Sequence, residues 1–265
     1  MRRQGFRKQH RIRRKTSFLK NRYFWLSFFI LVIFGASSYF LFFADFFQVK
    51  EINISGNQKI TTEDIKKEVN SLLSINFMNI SSKSIFLTNF HNISSEILKK
   101  FHQLASINFK RDFPNRITVE AEERKPVAVF CPDLNCYSVD KEGVAFEKVE
   151  VIFSDFPRIN NIEGKNNFSL GEKIIDKDIL NFILDTKKGL NEKSKITTEE
   201  FSLPSSQRLN VKTKEKWEIY FNLKGDLNWQ LEKLNLVLEK EIPPEKRKDL
   251  EYIDLRFTRV YFKYR

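Results

Sequence analysis

Histidine is nearly absent from this 265-residue chain, which has three, at positions 10, 91 and 102. None accompanies a nucleophile signature, and neither HExxH nor GxSxG occurs, so the usual zinc-peptidase and acyl-transfer chemistries have no visible carriers. The eight glycines include no phosphate-cradling loop. Asp and Glu are plentiful, but nothing singles out a catalytic pair, and a solvated charged face accounts for them. The two cysteines, Cys131 and Cys136, are too few for a zinc site and have no histidine nearby. These absences argue against an enzyme, a metal, a cofactor and a small-molecule substrate.

Acidic residues are missing from the first 22 positions, which hold ten Lys or Arg between Arg2 and Arg22. The other 36 basic residues face 34 acidic ones, so the body of the chain is nearly neutral and the net charge of +12 does not describe a nucleic-acid binder. Tyr23 to Ala44 then runs without a charged residue. At ~1.5 Å per residue that run reaches about 33 Å, enough for a hydrocarbon core of ~30 Å. The basic flank in front and Asp45 behind place the N-terminus in the cytoplasm. No small-x-small cleavage site ends the run, since Gly35-Ala36-Ser37 lies inside it. The reading is an uncleaved single-pass anchor with the bulk of the chain outside the cytoplasm, behind a tail that sets topology and meets anionic lipid.

Past the anchor, Val49, Ile52 and Ile54 predict a strand that Gly56-Asn57 turns. Thr62 then caps a helix with Glu63 and Asp64 at its positive end and Ile65 and Val69 at i, i+4. Residues 74–92 are Ser/Asn-rich and predict no clear element. A second helix is expected from Ser94 or Ser95, with Ile97, Leu98, Phe101 and Leu104 on one face. The strands ASINFKRDF and RITVEAEE follow. Strand–helix–helix–strand–strand is a compact α+β module with two helices on a three-stranded sheet. Its expected core is Ile52, Ile54, Ile65, Val69, Ile97, Phe101, Ile117 and Val119.

Beyond Pro126 strands dominate, and the region reads as a mixed-strand β domain with two helices. One helix is expected over 176–190, the other from Gly225-Asp226 to about Lys240. Pro132-Asp133-Leu134-Asn135 is a turn signal that brings Cys131 and Cys136 together across a hairpin; outside the cytoplasm a disulfide is permitted there, and two free thiols fit the same spacing. At the end, EYIDLRFTRVYFKYR alternates as a strand with Ile253, Leu255 and Phe257 facing the domain's helices. Tyr252, Asp254, Arg256 and Thr258 face the other way, and Asp254 and Arg256 are close enough to pair. The phase then flips, so that Val260, Phe262 and Tyr264 are either swung inward by a bulge or left for a partner to cover, and we expect the partner.

Four stretches resemble the FtsQ/DivIB family of bacterial cell-division proteins: the anchor followed by VKEINISGNQKITTEDI, the E-R-x-P-V-A run (Glu123, Arg124, Pro126, Val127, Ala128), the V-D-x-x-G hairpin in YSVDKEGVAF, and YIDLRF. The resemblance covers nearly the whole chain. It implies a tail at 1–22, a transmembrane helix at 23–44, a POTRA module at 47–124 and a β domain at 125–265. It also implies a non-enzymatic scaffold at the division septum, in the inner membrane, that binds FtsB/DivIC-like and FtsL-like partners. The residues expected to contact a partner, by strand addition to the free edge, are Tyr252, Asp254, Arg256, Phe257, Thr258, Val260, Phe262 and Tyr264. An anchored cell-wall enzyme and a POTRA-bearing secretion component are the alternatives. The first needs carboxylates that no motif marks, the second tandem modules or a barrel that the chain lacks.

Overall fold

A computed structural model describes residues 22–77, 80–150, 155–165 and 167–265; the basic tail read from the sequence lies outside them, except for Arg22. The described residues divide into two compact units, one of 22–53, 70–77, 80–89 and 110–118, the other of 54–69, 90–109, 119–150, 155–165 and 167–265.

In the first unit, α1 (Arg22–Phe43) is apolar all round and buried nowhere, and it is long and apolar enough to cross a membrane. A helix end leaves its last carbonyls without intrahelical donors. Here Ala44 N–H donates to Phe40 O (3.1 Å), the Ser84 hydroxyl to Leu41 O (3.0 Å), and the Ser82 hydroxyl and Gln48 Nε2 to Phe42 O (2.6 and 3.1 Å). The Ser/Asn-rich stretch that predicted no element supplies the two serine caps: within it β2 (Ile75–Phe77) and β3 (Ile80–Ser82) pair antiparallel, and the chain beyond them bonds back to 47–49 through Val49 N–H to Lys83 O (3.1 Å) and Ile85 N–H to Phe47 O (3.0 Å).

A three-stranded sheet has the order β1–β5–β4, from β1 (Glu51–Ser55), β4 (Leu104–Asp112) and β5 (Arg116–Glu123). Along β5 the buried residues are Ile117, Val119 and Ala121, the period-two pattern of a half-buried strand. Helix α2 (Thr62–Leu72) buries Ile65 and Val69, and α3 (Phe90–Lys100) buries Ile93 and Ile97, each pair at i, i+4. Three details differ from expectation. The second helix starts four residues early, at Phe90, whose ring stacks on Phe109 at 5.1 Å. Ile54, next to the end of β1, is half-buried. The helix ends at Lys100, so half-buried Phe101 lies beyond it and buried Leu104 opens β4 instead of continuing the helix face.

The second unit carries a nine-stranded sheet in the order β14–β13–β12–β11–β10–β9–β6–β7–β8. Its strands are β6 (Pro126–Phe130), β7 (Cys136–Asp140), β8 (Ala145–Val149), β9 (Arg158–Ile162), β10 (Thr198–Ser205), β11 (Arg208–Thr213), β12 (Glu218–Asn222), β13 (Leu250–Asp254) and β14 (Tyr261–Tyr264). Strands β9 and β10 pair in parallel, as do β12 and β13, and parallel neighbours need a crossover. The two helices are those crossovers: α4 (Lys177–Lys193) links β9 to β10, and α5 (Leu227–Lys240) links β12 to β13. Asp226 caps α5 by accepting Trp229 N–H at 2.7 Å. The helices meet at Gly189, where a Cβ would lie 2.4 Å from Leu231 Cδ1, and together they bury one sheet face, including Phe201, Val211, Trp217, Ile219, Phe221 and Ile253. Cys131 and Cys136 are disulfide-bonded across the β6–β7 hairpin, which resolves the choice the spacing left open.

Candidate protein-interaction edge

The chain's last fifteen residues are not one strand with a phase flip. They form a hairpin: β13 lies between β12 and β14, and β14 returns antiparallel with Ile253 opposite Phe262 and Asp254 opposite Tyr261. The ladder to β12 ends where Leu255 N–H donates to Tyr220 O at 2.9 Å. The bend that follows is held from two sides. Lys233, buried on α5, donates its ammonium to Leu255 O (2.8 Å) and Phe257 O (2.6 Å). On the other side Asp254 accepts Arg256 N–H (3.1 Å) and the Arg256 guanidinium as a fork, with Nε at 2.9 Å and Nη2 at 2.6 Å.

The electrostatics follow from these contacts. Burial opposes ionisation of the Asp254 carboxyl, but the Arg256 side-chain and backbone donors outweigh it and hold the group below the ordinary carboxylate range. The same carboxylate raises Arg256, against burial. Burial pushes the Lys233 ammonium down, and the Asp254 charge offsets part of that.

On the sheet face away from the helices, side chains form a ladder across strands. The Arg208 guanidinium sits 3.9 Å over the Tyr220 ring, and Tyr220 stacks on Tyr252 at 5.2 Å with the planes 22° apart. Burial and neighbouring Glu218 raise the Tyr220 hydroxyl, so the ring presents a neutral phenol. Phe257 and Tyr261 are each about half exposed, at 54 and 53 %, and meet edge to face at 5.9 Å.

Of the residues expected at a partner surface, Tyr252, Asp254 and Arg256 do share one face, although Asp254 is buried under its ion pair. Phe257 was expected against the helices and is exposed instead, because the bend redirects the chain before it. Val260, Phe262 and Tyr264 were expected to wait for a partner; the antiparallel return turns them inward, and they are half-buried against the domain's own core. Thr258 lies exposed in the bend. What remains open among the described residues is the backbone: β14 is the last strand of the sheet, with a pairing partner on one side. Lys233 was missed by sequence reading, although a lysine three residues after Gln230 and one before Leu234, within a stripe of buried positions, is a readable signal.

A second cluster explains the E-R-x-P-V-A and V-D-x-x-G runs together. One oxygen of Glu123 accepts the N–H groups of Gln58, Lys59 and Ile60 at 2.7, 2.9 and 3.0 Å, closing the loop before α2. Burial opposes its ionisation, but the three amides and Lys59 prevail and lower the carboxyl. Arg124 donates to His102 O (3.2 Å) and to the carboxylate of Asp140, a buried pair. The other Asp140 oxygen accepts Glu142 N–H (3.0 Å) and Val144 N–H (2.9 Å), shaping the turn at Gly143. That glycine has φ +83°, and a Cβ there would lie 1.9 Å from Ile175 O. Among the described residues no group of three or more His, Cys, Asp or Glu is arranged to hold a metal.

One apolar spanning-length helix, a β1–α2–α3–β4–β5 module and a β domain joined by the Glu123–Arg124 clamp define a POTRA protein, and residues 47–124 match the POTRA domain of FtsQ type. Residues 129–256 match the family described as cell division protein FtsQ/DivIB, C-terminal. The two matches together cover most of the chain, which belongs to the FtsQ/DivIB family of cell-division proteins. Among curated relatives, the cell division protein DivIB of Clostridium tetani is 28% identical over 132 residues, 49% of this chain and 46% of that protein. The cell division protein FtsQ of Syntrophotalea carbinolica is 28% identical over 124 residues, 46% of this chain and 40% of that protein. The chain thus matches less than half the length of either relative.

Proposed function

We propose that this protein is a non-enzymatic scaffold of the division machinery, anchored by α1 with its N-terminus in the cytoplasm, and that it captures an FtsB/DivIC-like partner, with an FtsL-like one, by strand addition to β14 at the septum. The observation that carries this reading is the unpaired side of β14. Its backbone groups are available for a ladder, and the rings of Phe257 and Tyr261 stand beside it. Arg265 N–H bonds inward to Asp249 O at 2.9 Å, so by alternation Tyr264 and Phe262 turn their N–H groups toward the open edge. The Arg208–Tyr220–Tyr252 ladder offers the adjoining face a cationic and aromatic surface, the composition favoured at interface hot spots. The test is capture of the extracytoplasmic segment of the partner by the full chain in detergent. Ending the chain after Thr258 removes β14 and should abolish capture while the disulfide and the POTRA module persist. Unchanged affinity after that truncation would place the interface elsewhere.

A further inference from the structure

A row of phenylalanine rings leads away from the end of α1. Phe40, one turn before the helix ends, meets Phe47 edge to face at 5.7 Å; Phe47 meets Phe86 at 5.2 Å; and Phe86 meets Phe113 at 5.3 Å. Phe86 belongs to the turn after β3 and Phe113 to the tip of the β4–β5 hairpin, so separate stretches of chain converge on one apolar strip. Phe46, Phe86 and Phe113 are 57, 41 and 59 % exposed. Soluble surfaces seldom leave such rings contiguous without an occupant.

We propose that Phe46, Phe47, Phe86 and Phe113 form an aromatic foot that lies in the interfacial layer of the bilayer crossed by α1. The occupant follows from depth. Phe40 is within the charge-free span, so Phe47, with its ring 5.7 Å away, stands beside the last turn of that span, and Phe86 follows 5.2 Å further along the row. The helix end is also prepared for scarce water, because serine and glutamine side chains cap the carbonyls of Leu41 and Phe42. The segment after the helix is bonded to residues 83–85, and Arg111 donates to Ile85 O and Thr88 O, both at 2.9 Å, tying the Phe86 turn to the strand that leads to Phe113. These bonds hold the segments that carry Phe47, Phe86 and Phe113 to one another.

This inference rests on α1 being a membrane anchor, and the experiment separates the two. The full chain is reconstituted into phosphatidylcholine–phosphatidylglycerol vesicles containing lipids brominated near the headgroup or deep in the chains. Trp25 reports on α1. In a Trp25→Phe background, Phe86→Trp and Phe113→Trp report on the foot, after subtraction of that background. A ring seated ~5–10 Å into the headgroup–acyl boundary should lose about half its emission to the shallow bromines and less to the deep ones. Quenching of Trp25 without quenching at 86 or 113 overturns the foot and leaves the anchor intact. An unquenched Trp25 overturns the anchor, and the foot with it.

Discussion

Replacing Lys233 with methionine keeps most of the side-chain volume and removes the ammonium that Leu255 O and Phe257 O share. A hydrogen bond to a charged group contributes roughly 1.5–3 kcal/mol. Two offsets apply: water can replace the lost donor at exposed Phe257, and removing a buried charge recovers part of its desolvation cost. The net loss should be about 2 kcal/mol, or a fall in Tm of roughly 4–8 °C for a chain of this size. A Lys224→Met control, at an exposed position, should stay within about 0.5 kcal/mol. The assay is a thermal melt of the full chain in detergent followed by the fluorescence of buried Trp217, with amide exchange of 255–264 read in parallel. Exchange there should accelerate before global unfolding, because the bend is what aligns β14 with β13. If the variant melts with the wild type and the β14 amides stay protected, the bend is held by the Asp254–Arg256 fork alone and the role given to Lys233 is wrong.

At the Glu123–Arg124 clamp, Arg124→Ala leaves the buried Asp140 carboxylate without its counter-ion and should cost about 3 kcal/mol in urea unfolding; adding Asp140→Asn should cost little more, and strict additivity would deny the coupling. The lowered Glu123 pKa makes its contribution complete above the unfolded value of about 4.3 and lost as pH falls through the lower folded value. The stability gap between wild type and Glu123→Gln should therefore be flat near neutrality and close in acid, and a gap that widens in acid contradicts the assignment. Replacing Cys131 and Cys136 with serine opens a small covalent loop and should cost ~2 kcal/mol under oxidising conditions; an equal effect from adding reductant to the wild type would tie that loss to the bond itself.

Much of the architecture was legible because it depends on local periodicity. The charge-free run before Asp45, the alternation of Ile117, Val119 and Ala121, the i, i+4 pair of Ile65 and Val69 and the Asp226 cap are each set by neighbours in the chain. The family resemblance was carried the same way, by Glu123, Arg124, Asp140 and Gly143, although their spacing did not reveal that Arg124 and Asp140 meet. That contact needs strands brought together from different parts of the chain. The same holds at the interaction edge. Alternation placed Tyr252, Asp254 and Arg256 on one face, a property of a single strand. It could not place Phe257, Val260, Phe262 and Tyr264, because whether a strand continues or folds back is decided by what meets it. Lys233, 22 residues before Leu255, supplies the donors that stabilise the reversal there. Periodicity within a segment, an effect of backbone geometry, could thus be read from the residues alone. The reversal at 255–260, the open side of β14 and the ring row at the foot of α1 required the tertiary structure, since each depends on buried polar groups or rings finding partners from distant segments.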